Sequence, residues 1–178
     1  MNLCKIRLDP NTAALERTAY NGLDDPGYYG CFYPSLILGY YMPDSPRYHD
    51  KKLLEYAVAI LEKYETYIHE DGSVDLIETN FHDPAQTGFH VKAYFTATEI
   101  LAKFSEHTAL EESLFEINTR ILSKMGEAMA TLGFHTPNHR WVISSGLAIA
   151  YKYTHNPKFL ETINGFLMEG IDCDENGE

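Results

Sequence analysis

Two short segments concentrate the residue types that can do chemistry. In the first, Asn138, His139, Arg140 and Trp141 bring together an amide, an imidazole, a guanidinium and an indole. The next residues, 142–151, are almost all apolar or small, which is typical of a buried helix. Polar groups at the start of a buried helix are costly unless they face a cleft or satisfy one another. The pattern therefore predicts a cleft at this helix end.

The second segment, residues 80–86, precedes an apolar and aromatic stretch around residues 89–101. Asp83 followed by Pro84 predicts the N-cap and first residue of a helix, so Asp83 alone is expected to be structural. Ordinary loop polarity is the alternative explanation for the segment. His90 lies two turns beyond His82, on roughly the same face. The remaining candidates for contacts to a ligand are Asn80, His82, Gln86 and His90.

Charge and composition narrow the classes of partner. The 178 residues carry a formal net charge of -12, which disfavours nucleic acid and anionic membrane surfaces as partners. Aromatic residues reach 13%, with 13 Tyr and 9 Phe. Amphipathic rings suit the faces of sugars, although a tyrosine-rich core explains them equally well.

Cysteine usage and the first residues point to a reducing compartment. Cys4, Cys31 and Cys173 are odd in number and widely spaced, which predicts reduced thiols rather than a disulfide framework. Residues 1–10 lack the apolar region of a signal peptide, and no apolar run approaches a membrane span. We therefore expect a cytoplasmic location.

Helical periodicity recurs in blocks that are separated by Pro, Gly, Asn and Asp, and strand signals are scarce. Ser45 before Pro46 and Asn156 before Pro157 predict N-caps. The predicted helices alternate between apolar and amphipathic, and they cover about 32–42, 47–69, 84–106, 110–132, 138–154 and 157–170.

An internal echo indicates repeated hairpins. Residues 40–48 and 151–159 both run from aromatic residues through a short turn to Pro, a basic residue and an aromatic residue. Alternating buried and half-exposed helices predict an inner row and an outer row. The predicted fold is all-α: antiparallel αα-hairpins that form part of an (α/α) toroid, in a single domain over residues 1–178.

Two motifs carry a resemblance to a known family. The segments NFHDPAQTGFH (80–90) and TPNHRW (136–141) resemble those of heparinase II/III-like polysaccharide lyases and related α/α-toroid carbohydrate enzymes. The resemblance extends over about residues 25–178. In that group an Asn-His pair that opens an inner helix lines the cleft. A complete toroid with its β-domain needs several hundred more residues, so we expect this chain to be the N-terminal portion of a longer protein.

The resemblance implies β-elimination on uronate-containing glycans, with an oligosaccharide or polysaccharide as partner. Asn138 and His139 would neutralise the uronate carboxylate, and Arg140 would bind it. Trp141 would stack on a sugar ring, and Tyr94 is the nearest candidate for the proton-abstracting base. The structural alternative makes Asn138 an N-cap, Arg140 a surface ion-pair partner and Trp141 a core residue.

Two further classes stay open. A glycoside hydrolase on the same toroid needs two carboxyl groups that flank one cleft, and Asp75, Asp83 and Asp172 are the plausible acids. A non-catalytic helical module would bind glycan or protein through an aromatic groove. Exposed apolar inner helices would also permit self-association.

No cofactor or metal is expected. The histidines considered for a metal site have no partnering Glu in a known zinc pattern; they are His82, His90, His135 and His139. Residues 172–177 match only the first half of a calcium loop, because the chain lacks the bidentate Glu at the twelfth position.

Overall fold

The predicted helical class is confirmed in the computed structural model, which describes residues 26–133 and 136–170. These ranges contain six α-helices and one antiparallel β-hairpin, which the sequence did not predict. In chain order the elements are α1 (Pro26–Tyr41), α2 (Lys51–Glu65), β1 (Val74–Leu76), β2 (Asn80–Asp83), α3 (Pro84–Phe104), α4 (Ala109–Thr131), α5 (Pro137–Thr154) and α6 (Pro157–Glu169).

The helices pack as two rows. Helices α1, α3 and α5 form one row, and α2, α4 and α6 form the other, with each odd helix packed on the even helix that follows it. Tyr41 meets Phe104 where α1 and α3 end, and Tyr153 donates a hydrogen bond to Glu99 near the ends of α5 and α3. The odd helices therefore run in the same direction, and their first turns share one edge of the domain, the N-terminal edge.

Tyrosines fill much of the core between the rows. Tyr33, Tyr64 and Tyr94 are fully buried. The ring centroid of Tyr94 lies 4.9 Å from that of Tyr64 and 5.7 Å from that of Tyr33. Asn118 Nδ2 donates to Tyr33 Oη at 2.8 Å, which satisfies that buried hydroxyl. Much of the high tyrosine content is thus explained by packing.

The predicted start of the second helix is wrong. Ser45 Oγ accepts from the Arg47 amide within a turn, whereas α2 begins only at Lys51. Asp50 is its N-cap, because its side chain accepts from the Lys52 amide at 3.1 Å. The predicted cap at the start of α6 is confirmed: the Asn156 side chain accepts from the Lys158 amide at 3.1 Å.

The first helix also differs from its prediction, since it begins at Pro26 rather than near residue 32. Pro34 lies inside the helix, although proline removes one backbone hydrogen bond there. The packing of Tyr29, Tyr33 and Ile37 into the core outweighs this cost. Pro34 is therefore an interior residue of α1.

Glycines let α3 and α5 approach closely. A Cβ atom on Gly146 would lie 2.7 Å from Met129 Sδ and 3.3 Å from Gly88 Cα. A Cβ atom on Gly88 would lie 3.1 Å from Val142 Cγ1. The thioether of Met129, on α4, therefore fills the space where the two glycine backbones meet.

Several sequence predictions lie outside the described ranges: those on Cys4, Cys173, His135 and residues 172–177. Cys31 is described and is an exposed free thiol. Within residues 26–133 and 136–170, no helix combines the length and the apolar character that crossing a bilayer requires.

Candidate functional site

A cleft of about 350 Å³ opens at the N-terminal edge, between the first turns of α1 and α3 and the strand β1; we call it the α1–α3 cleft. Two residues predicted to contact a ligand, Gln86 and His90, line it. The other side chains used below are Tyr28, Asp75, Glu78 and Phe89, which also line it.

Residues 80–87 fix the start of α3 beside this cleft. Asp83 is the N-cap, as predicted: its Oδ1 atom accepts from the Gln86 amide at 2.7 Å, while its Oδ2 atom accepts from Asn80 Nδ2 at 2.7 Å. Thr87 Oγ1 donates to the Asp83 carbonyl and accepts from the Val74 amide. Asn80 therefore supports the cap, and Thr87 ties β1 to α3.

His90 is the buried polar group of the cleft, with only 5% of its surface exposed. Its Nε2 atom lies 3.0 Å from the Gln86 amide nitrogen, a donor, so Nε2 accepts and Nδ1 carries the proton. Nδ1 then donates to Tyr64 Oη at 2.7 Å, and the Tyr64 hydroxyl points to Met125 Sδ. Burial lowers the pKa of His90 to about 4, so the ring is neutral at pH 7.

His82 lies outside the cleft lining, in a cluster that the sequence did not reveal. Its ring stacks on His69 with centroids 3.8 Å apart, and its Nδ1 atom lies 2.7 Å from Asp71 Oδ2. Asp75 Oδ1 accepts from the His82 amide at 2.9 Å and lies 2.7 Å from His69 Nε2. His82 has a positive φ of 53°, an uncommon backbone conformation that these contacts hold in place. The cluster therefore holds Asp75 at the cleft wall.

Ser73 does not form a nucleophilic triad with this cluster. Its Oγ atom donates to Asp71 Oδ1 at 2.5 Å and lies 3.3 Å from His82 Nδ1, the same ring nitrogen that faces Asp71. A triad needs the hydroxyl and the carboxylate on opposite nitrogens. Burial by itself raises the pKa of Asp71, but the hydrogen bonds from Ser73 and His82 outweigh it and lower the pKa to about 2.

The segment that opens α5 is arranged differently. Thr136, not Asn138, holds the N-cap position, and its hydroxyl donates to Asn138 Oδ1 at 2.6 Å. Arg140 forms an ion pair with Glu169 on α6, as the structural alternative predicted. Trp141 has 49% of its surface exposed, so the prediction that it is a core residue is wrong.

These α5 residues do not join the α1–α3 cleft. Asn138, Arg140 and Trp141 are absent from its lining, and among the described residues no hydrogen bond or ion pair links them to Asn80 or His82. His139 is half-buried in the first turn of α5 and has no hydrogen-bond partner in the described part of the chain. The two motifs share the N-terminal edge because Gly88 packs against Val142, but they do not form one constellation.

Tyr94 is placed for packing. It is 1% exposed, and burial, followed by the neighbouring phenol of Tyr64, raises its pKa well above the usual range. A phenol in this environment stays protonated at neutral pH. Tyr94 follows His90 by one turn, but it packs into the core and is absent from the cleft lining. Its geometry does not support the role of proton-abstracting base.

The acids of the cleft are Asp75 and Glu78. Asp75 was a sequence candidate, whereas Glu78 was missed; it lies in the turn between β1 and β2, and the hairpin was not predicted. Asp83 serves as a helix cap, and Asp172 lies outside the described ranges. In the described residues the cleft lining contains no Lys or Arg, and no group of three or more His, Cys, Asp or Glu side chains is placed to hold a metal ion.

Comparisons of the chain with protein-family models, curated proteins and solved structures found no match. The residues and their geometry therefore carry the functional argument.

Proposed function

We propose that this chain is a carbohydrate-binding helical domain whose sugar occupies the α1–α3 cleft. The observation that carries the proposal is the convergence of two aromatic rings, Tyr28 and Phe89, with the polar groups of Gln86 and Glu78 in one cleft of about 350 Å³. Sites for small ligands typically have about 300–1,000 Å³ and few polar groups on an apolar wall. Aromatic faces stack on the C–H faces of sugars, and the polar groups bind hydroxyls.

The finer fold is part of the proposal: the two rows of helices form an arc of an α/α toroid. Each hairpin packs beside the next, and the odd helices share one edge, which supports this arrangement. In such an arc the cleft at the N-terminal edge would open toward the inner side of the ring.

Affinity measurements test the binding proposal. Titration calorimetry with neutral and uronate-containing oligosaccharides is compared for the native chain and two variants on α3, Phe89→Ala and Phe104→Ala. Phe89 and Phe104 are 48% and 53% exposed, but only Phe89 lines the cleft, so Phe104→Ala is the matched control. We expect Phe89→Ala to lower affinity about tenfold, the order of a lost stacking contact. Equal affinities of the two variants would refute this site.

Hydrolysis is the catalytic candidate that the cleft favours. Asp75 and Glu78 both line it, and glycoside hydrolysis uses two carboxyl groups on one cleft. The β-elimination implied by the family resemblance has less support, because Asn138 and Arg140 lie outside the cleft and Tyr94 is buried.

Product analysis separates the candidates. Release of reducing sugar without an unsaturated chromophore would support hydrolysis, and Glu78→Gln should then lower turnover about a hundredfold. An unsaturated product from a uronate polymer, lost on Asn138→Ala or His139→Ala, would instead support elimination. Binding without either product would support the non-catalytic module.

A further inference from the structure

We infer that the α1–α3 cleft binds a sugar that carries a free, positively charged amine, an inference that rests on the proposed carbohydrate function. Such a ligand differs in charge from the uronate expected from the family resemblance.

The charges on the cleft wall favour a cation. Glu78 is exposed and has no hydrogen-bond or ion-pair partner in the described ranges. Asp75 uses its Oδ1 atom for His69 and His82, whereas its Oδ2 atom has no partner among the described residues. The described lining supplies no Lys or Arg to balance these carboxylates. A ligand carboxylate would meet the unpaired Glu78 carboxylate and the Asp75 carboxylate, which also contacts His69, whereas an ammonium group would meet opposite charge at both.

The hydrogen-bonding groups of the cleft also favour a ligand that donates. The Gln86 amide nitrogen is used by His90 Nε2, which leaves Gln86 Oε1 as an acceptor for a ligand. His90 is buried and neutral, so it adds no positive charge. With Asp75 and Glu78, the cleft therefore offers mostly acceptors. An ammonium group has three donors and no acceptor, which matches this surface.

Aromatic rings complete the match. Tyr28 and Phe89 line the same cleft as the carboxylates. An aromatic face attracts a nearby cation and also packs against the apolar face of a sugar ring. An amine-bearing hexose uses both properties at once, whereas a plain hexose uses only the second.

Three tetrasaccharides test the inference by calorimetry at about pH 6 and low salt: a β-1,4-linked glucosamine oligomer, its N-acetylated form and a glucose oligomer. Acetylation removes the charge of the amine while it keeps the ring and the linkage. We expect the glucosamine oligomer to bind at least about tenfold more tightly than the other two, because a charge-assisted hydrogen bond replaces a neutral one. Glu78→Gln should remove most of this preference. The matched control is Glu55→Gln, an exposed acid on α2 outside the cleft lining, which should keep it.

The outcomes separate the inference from the function beneath it. Equal binding of all three oligomers, weakened about tenfold by Phe89→Ala, would overturn the amine preference and leave carbohydrate binding standing. A preference that survives in Glu78→Gln would also overturn the inference. Failure of every oligomer to bind would overturn both. Spermidine serves as an amine without a sugar, and binding of spermidine as tight as that of the glucosamine oligomer would refute the carbohydrate proposal.

Discussion

The N-terminal ends of α3 and α5 look alike in the sequence but differ in the structure. Each begins with a proline and is preceded or followed by Asn and His side chains. At α3, Asp83 caps the helix and the β-hairpin surrounds the first turn. At α5, Thr136 makes no side-chain cap bond, and Arg140 turns toward α6.

The hairpin accounts for this difference. Residues 66–83 wrap over the start of α3, place Asp75 at the cleft wall and supply the amide of Val74 to Thr87. The start of α5 has no comparable covering element in the described ranges. In this domain, polar groups at a helix start thus line a cleft only where a second element closes around them.

The largest expected effect comes from a substitution that disturbs the segment over the start of α3. Gly72 has a φ of 87°, and a Cβ atom there would overlap the carbonyl oxygen of Lys124 on α4. Gly72→Ala should lower the free energy of unfolding by about 4 kcal/mol, because backbone strain and a clash add together. Denaturant titration measures this.

Gly170 supplies the matched control for Gly72. Its φ is 69°, but a Cβ atom there would meet no atom of the described residues within 4 Å. Gly170→Ala should therefore cost only the strain, about 1 kcal/mol. Equal losses in the two variants would show that the close approach of Gly72 to Lys124 does not matter.

The next effect is a pH dependence of the free energy of unfolding, which His90 in α3 should cause. Burial lowers the pKa of His90 to about 4, below the value near 6.5 of an unfolded histidine, so the unfolded chain binds more protons between these values. The free energy of unfolding should therefore fall as the pH drops from about 6.5 to 4, by about 3 kcal/mol. His90→Gln should flatten this slope. His107→Gln, which alters an exposed histidine, should retain it; a flat native profile would contradict the neutral buried ring.

A smaller effect compares the two caps directly. Asp83→Ala removes a carboxylate that accepts from the Gln86 amide, and it should lower the free energy of unfolding by about 2 kcal/mol. Thr136→Ala removes a side chain that makes no cap bond, so its effect should stay within about 0.5 kcal/mol. Thermal unfolding of both variants measures the contrast, and similar losses would mean that the two ends are equivalent.

The smallest effect belongs to the α5 end. Arg140→Gln breaks an ion pair in which the Glu169 side chain is 58% exposed but the Arg140 side chain only 16%, so the loss should be about 1 kcal/mol. Glu169→Gln should cost a similar amount, and the double variant should cost no more than either single one. A loss of several kcal/mol would show that Arg140 does more than pair with α6.

Local signals predicted much of the fold. Pro84 and Pro157 follow the capping residues Asp83 and Asn156, so these helix starts could be read from adjacent residues. Ser45 before Pro46 gives the same signal, yet the chain turns as far as Asp50, with His49 at a positive φ of 55°, before α2 begins. A short motif cannot show which of two nearby caps the backbone reaches.

The site depended on contacts that no local pattern contains. His69 and His82 stack although 13 residues separate them along the chain. Glu78 reaches the cleft only because the short hairpin forms, and its strands have 3 and 4 residues. Tyr94 follows His90 by one helical turn, but its side chain packs in the core and not against the cleft. Sequence spacing identified Gln86 and His90, which line the cleft, and misjudged the direction of the Tyr94 side chain.

The meeting point of Gly88, Gly146 and Met129 has a chemical consequence. Met129 is 1% exposed, and its sulfur occupies the space between two glycine backbones. Oxidation adds an oxygen atom to a thioether and makes it polar. An oxygen atom added to this sulfur would crowd Gly146, since a Cβ atom there would already lie 2.7 Å from Met129 Sδ. Treatment with hydrogen peroxide should therefore weaken the packing of α3 against α5 and lower the free energy of unfolding.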